Sequence, residues 1–346
     1  MKKHKTLAFF IPHLGCPHQC SFCDQHTISG VLTAPTPEEV ASACQKMLEQ
    51  TNVPPDAEIG FFGGSFTAVE PAYQTILLEA VQPFLGAGKF GGIRISTRPD
   101  AIDASILKRL KDYHVTAVEL GAQSMSEEIL QKNKRGHTAQ AVRTASAQIC
   151  AASLSLGLQQ MTGLYGSSLA DEYETLYQLL ACRPETLRIY PTVVLRGTAL
   201  ARVWETADYP CISEEEMLDF CADALCICQK AGVRVIRLGL HDSPGLHQNR
   251  IGGYYHPAYR EIVESRLYLR TLLRAVQDNN VSKLDVYTAK GTMSKLMGQH
   301  GVNRCRLAEM GIRLFGTESP EIPAGWLRIH GHLYAIGQIW DEKRKN

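Results

Sequence analysis

Short apolar runs rich in Ile, Val, Phe and Leu recur over the first 240 positions, separated by longer segments of helical periodicity. TLAFFI (6–11), AEIGFF (57–62), GIRIST (92–97), TAVELG (116–121), LSLGLQQM (154–161), LRIYPTV (187–193) and VRVIRL (233–238) read as strands. Strands alternating with helices predict repeated β/α units and a parallel sheet. TPEEVASACQKMLEQ opens with Thr36 as a helix cap and Glu39 three residues on, the spacing of a capping box. EEEMLDFCADALCICQKAG has the apolar period of an amphipathic helix, on which Cys221, Cys226 and Cys228 act as small apolar residues. The predicted packing is an open or closed β/α barrel, with a doubly wound sheet as the alternative.

The rhythm breaks after about residue 245, where SPGLHQNRIGGYYHPAY is rich in Gly, Pro and Tyr. The expected division is therefore a barrel domain over 1–245 and a second region over 246–346. HPAYREIVESRLYLRTLL reads as an amphipathic helix expected to pack on the barrel, with His256 in a structural role. Residues 284–315 read as strand, helix, a GQHG turn at Gly298–Gly301, a second helix and a strand. That order resembles the minimal core of a KH domain, whose GXXG loop clamps single-stranded nucleic acid. The alternative is a small helical cap closing the barrel mouth.

Charge narrows the partners only slightly. Lys and Arg number 36 against 35 Asp and Glu, so no broad attraction to nucleic acid or membrane is expected. Locally, 281–346 holds ten Lys or Arg against six Asp or Glu, a net of +4, which favours RNA at the GQHG loop. The N-terminal apolar run breaks at Pro12 and His13, and no run reaches the roughly 18 apolar residues that span a bilayer. The expectation is a cytoplasmic protein with no membrane partner. Its 11 cysteines then read as free thiols plus one metal or catalytic site.

That site is GCPHQCSFC, residues 15–23. Cys16, Cys20 and Cys23 stand at C-x3-C-x2-C, a spacing suited to an iron–sulfur cube in which three irons take a thiolate each and the fourth stays open for an exogenous ligand. The alternative is a Cys3His zinc site completed by His13, His18 or His26. In parallel β/α folds the active site is built where strands exit. Those exits carry Gly63, Gly64 and Ser65, then Arg98, Gln123, Gln159, Tyr190, Arg237 and His241. The paired glycines allow close backbone approach to a ligand, or form a plain tight turn. The planar fork of Arg135 suits a carboxylate, or caps a solvated helix end.

GCPHQCSFC, FFGGSF, STRPD, VELGAQS, RGHT and RIYPTVVLRGT, in that order over residues 6–240, resemble the radical S-adenosylmethionine core of the Elongator catalytic subunit and its prokaryotic relatives. The resemblance implies a partial (β/α)6-type TIM barrel followed by a small C-terminal α+β appendage. It implies a [4Fe–4S] cluster on Cys16, Cys20 and Cys23, with S-adenosylmethionine chelating the open iron and cleaved reductively to a 5'-deoxyadenosyl radical. Phe22 would pack beside the adenine. Gly63, Gly64 and Ser65 would face the methionine amino end, and Arg135 the carboxylate. Gln123 and Gln159 would line the ribose and methionine, with Arg98 facing the same cavity. Tyr190, Arg196, Arg237 and His241 are the candidates that face the substrate, each with a structural role as its alternative. A reductase such as flavodoxin or ferredoxin is the expected electron donor. With the first strand starting near residue 6 and about a hundred residues after the barrel, an acetyltransferase domain is not expected.

The function expected from this is radical chemistry on RNA, with tRNA as the substrate class. The alternatives are the same chemistry on a small molecule and a non-catalytic, zinc-stabilised RNA-binding protein. A simple electron-transfer protein is disfavoured, because such proteins fill all four iron positions with cysteine.

Overall fold

The computed structural model describes residues 5–17, 19–206, 209, 212–279 and 281–337. The chain folds as two compact units, Lys2–Ser213 with Gly232–Pro257, and Glu214–Ala231 with Ala258–Asn346.

In the first unit, β1 (Thr6–Ile11), β2 (Glu58–Gly63), β3 (Gly92–Thr97), β4 (Val115–Gln123), β5 (Ser155–Thr162) and β6 (Thr186–Pro191) join in sequence order. A short β7 (Val193–Leu195) leaves the sheet, and β8 (Arg234–Leu238) completes it beside β6. All seven sheet strands are parallel, in a curled half-barrel. Every strand read from the sequence is present within two residues of its expected bounds. The Thr36 capping box also forms: Thr36 accepts the Glu39 N–H while Glu39 accepts the Thr36 N–H. β7 pairs antiparallel with β9 (Arg250–Gly253). Neither short strand has a period the sequence could reveal, and β9 lies inside the Gly-rich stretch.

Alternate positions divide the sheet into two faces. On one face Phe9 and Phe61 stack at 5.8 Å, and Phe61 stacks on Phe66 at 5.3 Å. The other face carries a charged row across five strands. Arg94 Nε donates to Glu58 Oε2 at 2.6 Å and its Nη1 to Glu119 Oε1 at 3.3 Å. Arg188 Nη2 donates to Glu119 Oε1 at 2.9 Å, and Gln159 Nε2 to Glu119 Oε2 at 3.0 Å. Arg188 Nε lies 2.6 Å from Glu119 Oε2 but too bent for a hydrogen bond. Two carboxylates thus face two guanidiniums, and a buried charge so paired avoids the penalty of standing alone. Gly157 leaves room for this: a Cβ there would stand 2.8 Å from Glu119 Cγ.

In the second unit, helix Glu214–Lys230 is tied to helix Tyr259–Asn279 by Arg266 gripping Asp219 at 2.9 Å through two nitrogens, and by Arg270 reaching Asp223 at 2.6 Å. Cys221, Cys226 and Cys228 are all buried, as the amphipathic period predicts. A single cut at residue 245 differs from this division, because these ion pairs draw 214–231 into the later unit. Helix Tyr259–Asn279 gives Tyr268, Leu269, Leu272 and Ala275 to this unit's own core.

The predicted strand–helix–turn–helix–strand is present as β10 (Lys283–Thr288), helix Met293–Met297, the Gln299–Gly301 turn, helix Val302–Glu309 and β11 (Arg313–Glu318). β10 and β11 are parallel neighbours. Two further strands, β12 (Trp326–Ile329) and β13 (His332–Ala335), make a four-stranded sheet in the order β11, β10, β12, β13. Leu284, Val286, Leu314, Leu327 and Ile329 face the helices. A sheet with its own core replaces the small helical cap considered as the alternative.

Candidate active site

β1 ends at Ile11 and releases the cysteine loop; β2 ends beside it at Gly63. The two exits are stapled together. Gly64 N–H donates to Ile11 O at 2.7 Å and Ser65 N–H to Leu14 O at 2.9 Å. A Cβ on Gly64 would stand 2.1 Å from Leu14 O, and one on Gly15 2.4 Å from Ser65 O. These glycines let the loop close on the β2 exit. The N–H groups of Gly64 and Ser65 serve the loop itself, while Gly63 O accepts Gln25 Nε2 at 2.6 Å. Ser65 Oγ lies 3.7 Å from Cys16 Sγ.

The far side of the loop is held by groups that no motif marked. Gln25 Oε1 accepts the His13 N–H, and His13 Nε2 accepts the Gln25 N–H at 3.0 Å. Asp24 caps the helix Gln25–Ser29, taking the Thr27 N–H at 3.1 Å. Asn133, fully buried, accepts Ser21 Oγ at 2.9 Å on its side chain and the Ser21 N–H at 3.1 Å on its backbone. Residues 21 and 133 are far apart in sequence, so only the fold reveals the pairing.

Cys16 and Cys23 line a cavity of about 600 Å³ together with Asp24 and Arg196. Burial pushes the Cys23 thiol up to about 12, with the neighbouring Cys20 and Cys16 adding to the rise. A buried thiol whose ionisation is opposed by two neighbouring thiols belongs to a donor set that cations complete. Arg135 Nη1 reaches Cys20 Sγ at 3.2 Å, while its Nη2 donates to Gly121 O. Among the described residues no three His, Cys, Asp or Glu side chains converge on a single metal-sized point. In a cubane each thiolate takes its own iron, so the sulfurs need not meet. For the zinc alternative, His13 Nε2 is taken by the Gln25 N–H, whereas His26 Nδ1 lies 3.0 Å from Val31 O, which leaves its Nε2 open. His18 lies outside the described residues.

Around Arg135, three buried polar atoms have no hydrogen-bond partner: Gln123 Oε1, Arg135 Nε and His137 Nε2. Gln123 sits at φ +66°, where β4 leaves its register with β5. A Cβ on Gly121 would approach Gln123 Nε2 at 3.1 Å and Arg135 Nη2 at 3.3 Å, so both side chains converge over that glycine. Burial and the adjacent Arg135 charge hold His137 down at about 4, against a weaker pull from Thr138 O. A buried unpaired polar atom costs about 1–3 kcal/mol, and a polar ligand relieves that cost. Thiols, orphaned polar atoms and a side-chain-free floor together fit a cluster with a small zwitterionic ligand.

The remaining expected residues separate into groups. Phe22 is buried with Cys20, Ile129 and Leu164. Arg98 spends its fork on Asp100, both bonds at 2.9 Å, so the expected ligand-facing arginine is clamped to its own loop. Gln159 gives its amide N–H to Glu119. Tyr190 follows Arg188 on the same face of β6. Arg188 Cζ stands 4.8 Å over the Phe62 ring, Phe62 lies 6.4 Å from Phe10, and His241 stacks on Phe10 at 5.8 Å. Burial, then the Arg237 charge, lowers His241 toward the neutral imidazole. Arg237 Nε donates to Gly239 O at 3.0 Å. Tyr190, Arg237 and His241 thus share one face, which Phe10, Phe62 and Arg188 also line. Arg196 is exposed on the loop after β7 and joins the cysteine cavity instead.

Family models agree with this geometry. The radical SAM superfamily model matches residues 10–180 and the radical SAM C-terminal domain model matches 184–268. The chain is a radical SAM enzyme. Members of this superfamily use a [4Fe–4S] cluster and S-adenosylmethionine (SAM). Its core is homologous to the tRNA uridine(34) acetyltransferase of Dehalococcoides mccartyi, 25% identical over 290 residues, covering 73% of this chain and 62% of that protein. It is likewise 32% identical to Elongator complex protein 3 of Danio rerio over 139 residues, 39% of this chain and 25% of that one. The solved structure of the Elp3 of Methanocaldococcus infernus with an N-terminal deletion superposes with a TM-score of 0.57 at 20% identity, covering 81% of this chain and 64% of that one. The chain thus spans less than two thirds of the length of these relatives. Among the described residues of this radical SAM enzyme no helix is long and apolar enough to cross a membrane.

Proposed function

We propose that this radical SAM enzyme modifies RNA, with tRNA as the substrate class. Cys16, Cys20 and Cys23 hold the cluster, and Arg135, Gln123 and His137 hold the polar end of SAM. The observation that supports the cofactor part of this reading is the stapled cysteine loop with Arg135 Nη1 3.2 Å from Cys20 Sγ and Arg135 Nε buried without a partner. The cluster and SAM supply radical chemistry once bound, and the protein's part is to bind, orient and exclude water. Arg135 offsets the negative charge gathered at Cys20. Tyr190, Arg237 and His241 form the substrate wall, with Phe10 and Phe62 beside them. A neutral His241 can accept a proton there at pH 7. The tRNA assignment draws on the relatives' names, and a flavodoxin- or ferredoxin-type reductase is the matching electron source.

Protein purified anaerobically and reconstituted with iron and sulfide should be brown and should release 5'-deoxyadenosine from SAM under dithionite. Mass comparison of tRNA nucleosides from cells with and without the protein should show one missing modification. A colourless preparation carrying stoichiometric zinc would defeat the enzymatic reading. Unchanged nucleosides with intact SAM cleavage would defeat only the RNA assignment.

A further inference from the structure

The four-stranded sheet of the second unit has one filled face and one bare face. The bare face presents Phe315 at 49% exposure, Tyr287 at 39% and Trp326 at 36%. Strand register fixes where these rings stand. In the parallel pair Asp285 lies opposite Phe315 and Tyr287 opposite Thr317, so Phe315 is one side-chain repeat behind Tyr287. In the antiparallel pair Tyr287 lies opposite Arg328, so Trp326 is one repeat ahead. The rings therefore run along a single diagonal across β11, β10 and β12, with steps of roughly 7–8 Å. That spacing is about twice the 3.4 Å rise of stacked bases in a duplex strand and matches bases splayed apart.

Cations are interleaved with the rings. Lys283 Nζ stands 5.0 Å over Phe315, and Arg328 Cζ 4.7 Å over Tyr287. Arg313 lies beside Lys283 in register and is exposed. Two carboxylates hold part of this charge: Lys283 pairs with Asp285 at 2.7 Å and Arg328 with Glu321 at 3.7 Å. The face keeps a cationic excess, within a stretch whose composition is net +4 from ten basic and six acidic residues. Exposed ion pairs of this sort contribute little, so their cations can turn to phosphates at small cost. Exposed aromatics on a sheet interior position otherwise lower solubility and call for a partner.

We propose that this face binds single-stranded nucleic acid, with successive bases stacking on Phe315, Tyr287 and Trp326 and with Lys283, Arg313 and Arg328 on the phosphates. The GQHG turn is a separate feature. A Cβ on Gly298 would stand 2.8 Å from Asn303 N, and buried Asn303 donates to Leu296 O at 3.1 Å, so Gly298 is held by packing. The proposal concerns a surface of the second unit and is tested without the cluster or SAM, so it can fail while the radical chemistry stands.

The full chain is titrated against fluorescein-labelled U12 RNA in 50 mM KCl and followed by anisotropy. Phe315→Ala and Tyr287→Ala should each weaken binding by roughly 5- to 150-fold, the range for losing one base–aromatic stack, and Tyr287→Phe should keep it. Arg313→Glu should weaken binding and flatten its salt dependence. Thermal midpoints within about 2 °C of the parent, as befits surface changes, confirm that the variants fold. Ring variants that bind U12 as the parent does would overturn the proposal, as would equal affinity for a blunt duplex. Loss of binding confined to Gln299→Asp and His300→Asp would also overturn it, transferring the role to the turn. A concentration-dependent dimer abolished by Phe315→Ala would assign the face to a second copy of the chain.

Discussion

Replacing Gly64 with alanine tests whether the cysteine loop is held by backbone closure. The added Cβ would stand 2.1 Å from Leu14 O and 2.7 Å from Ile11 O, where ordinary contact begins near 3.4 Å. The loop must retreat by more than 1 Å. That displacement stretches Ser65 N–H to Leu14 O, now 2.9 Å, and Gly64 N–H to Ile11 O, now 2.7 Å, beyond useful length. Two hydrogen bonds at about 0.5–1.5 kcal/mol each and a packing strain of about 1–3 kcal/mol sum to about 2–6 kcal/mol. The acceptors are backbone atoms of the cysteine loop, so no side-chain rotation relieves the clash. Gly30→Ala is the control: nothing lies within 4 Å of its Cβ position, and only its φ of +70° opposes alanine, at about 1 kcal/mol. Anaerobic reconstitution followed by iron analysis, with urea denaturation in parallel, should give Gly64→Ala low iron and reduced stability, and Gly30→Ala near-parental iron. Parental iron and stability in Gly64→Ala would refute the stapled-loop account.

Arg135→Lys keeps the charge but loses the fork that spans Cys20 and Gly121, so SAM cleavage should fall by roughly 10- to 150-fold with the fold retained by circular dichroism. Glu119→Gln leaves Arg188 short of its buried carboxylate and should lower stability to urea by about 3–5 kcal/mol. His137 is held near 4 in the fold against 6.5 unfolded. Between those values the unfolded chain binds a proton that the folded chain refuses, so stability falls as pH drops from 6.5 to 4, by about 3 kcal/mol in the limit. His137→Gln should flatten that part of the stability–pH curve; an identical slope in both proteins would contradict the burial argument.

How much of this was legible in the sequence varied with the range of the interaction. The seven parallel strands were legible because short apolar runs and helical periods are local properties. So were the Thr36 cap and the buried Cys221, Cys226 and Cys228. The strands β7, β9, β12 and β13 were not, because three or four residues carry no period. Cys16, Cys20 and Cys23 stood out because one loop brings them together. The Arg98 fork pairs with Asp100 two residues on, a contact contained within STRPD itself. Asn133 and Gln25 carried no signal at all, since each matters through a partner supplied by distant chain, and His137, though inside RGHT, owes its burial to the fold.

The sequence by itself determined the order of β/α units, the cysteine loop at the first strand exit and the helix–turn–helix between two strands near the end. Each follows from residue spacing within about twenty positions. Tertiary structure alone decided that Arg135 meets Cys20, that Glu119 is shared by guanidiniums from strands on either side, and that three rings line up across one sheet face. Those depend on strand register and sheet curl, which place residues up to 115 positions apart within hydrogen-bond reach. No local pattern encodes such distances, because they are fixed by how whole elements pack.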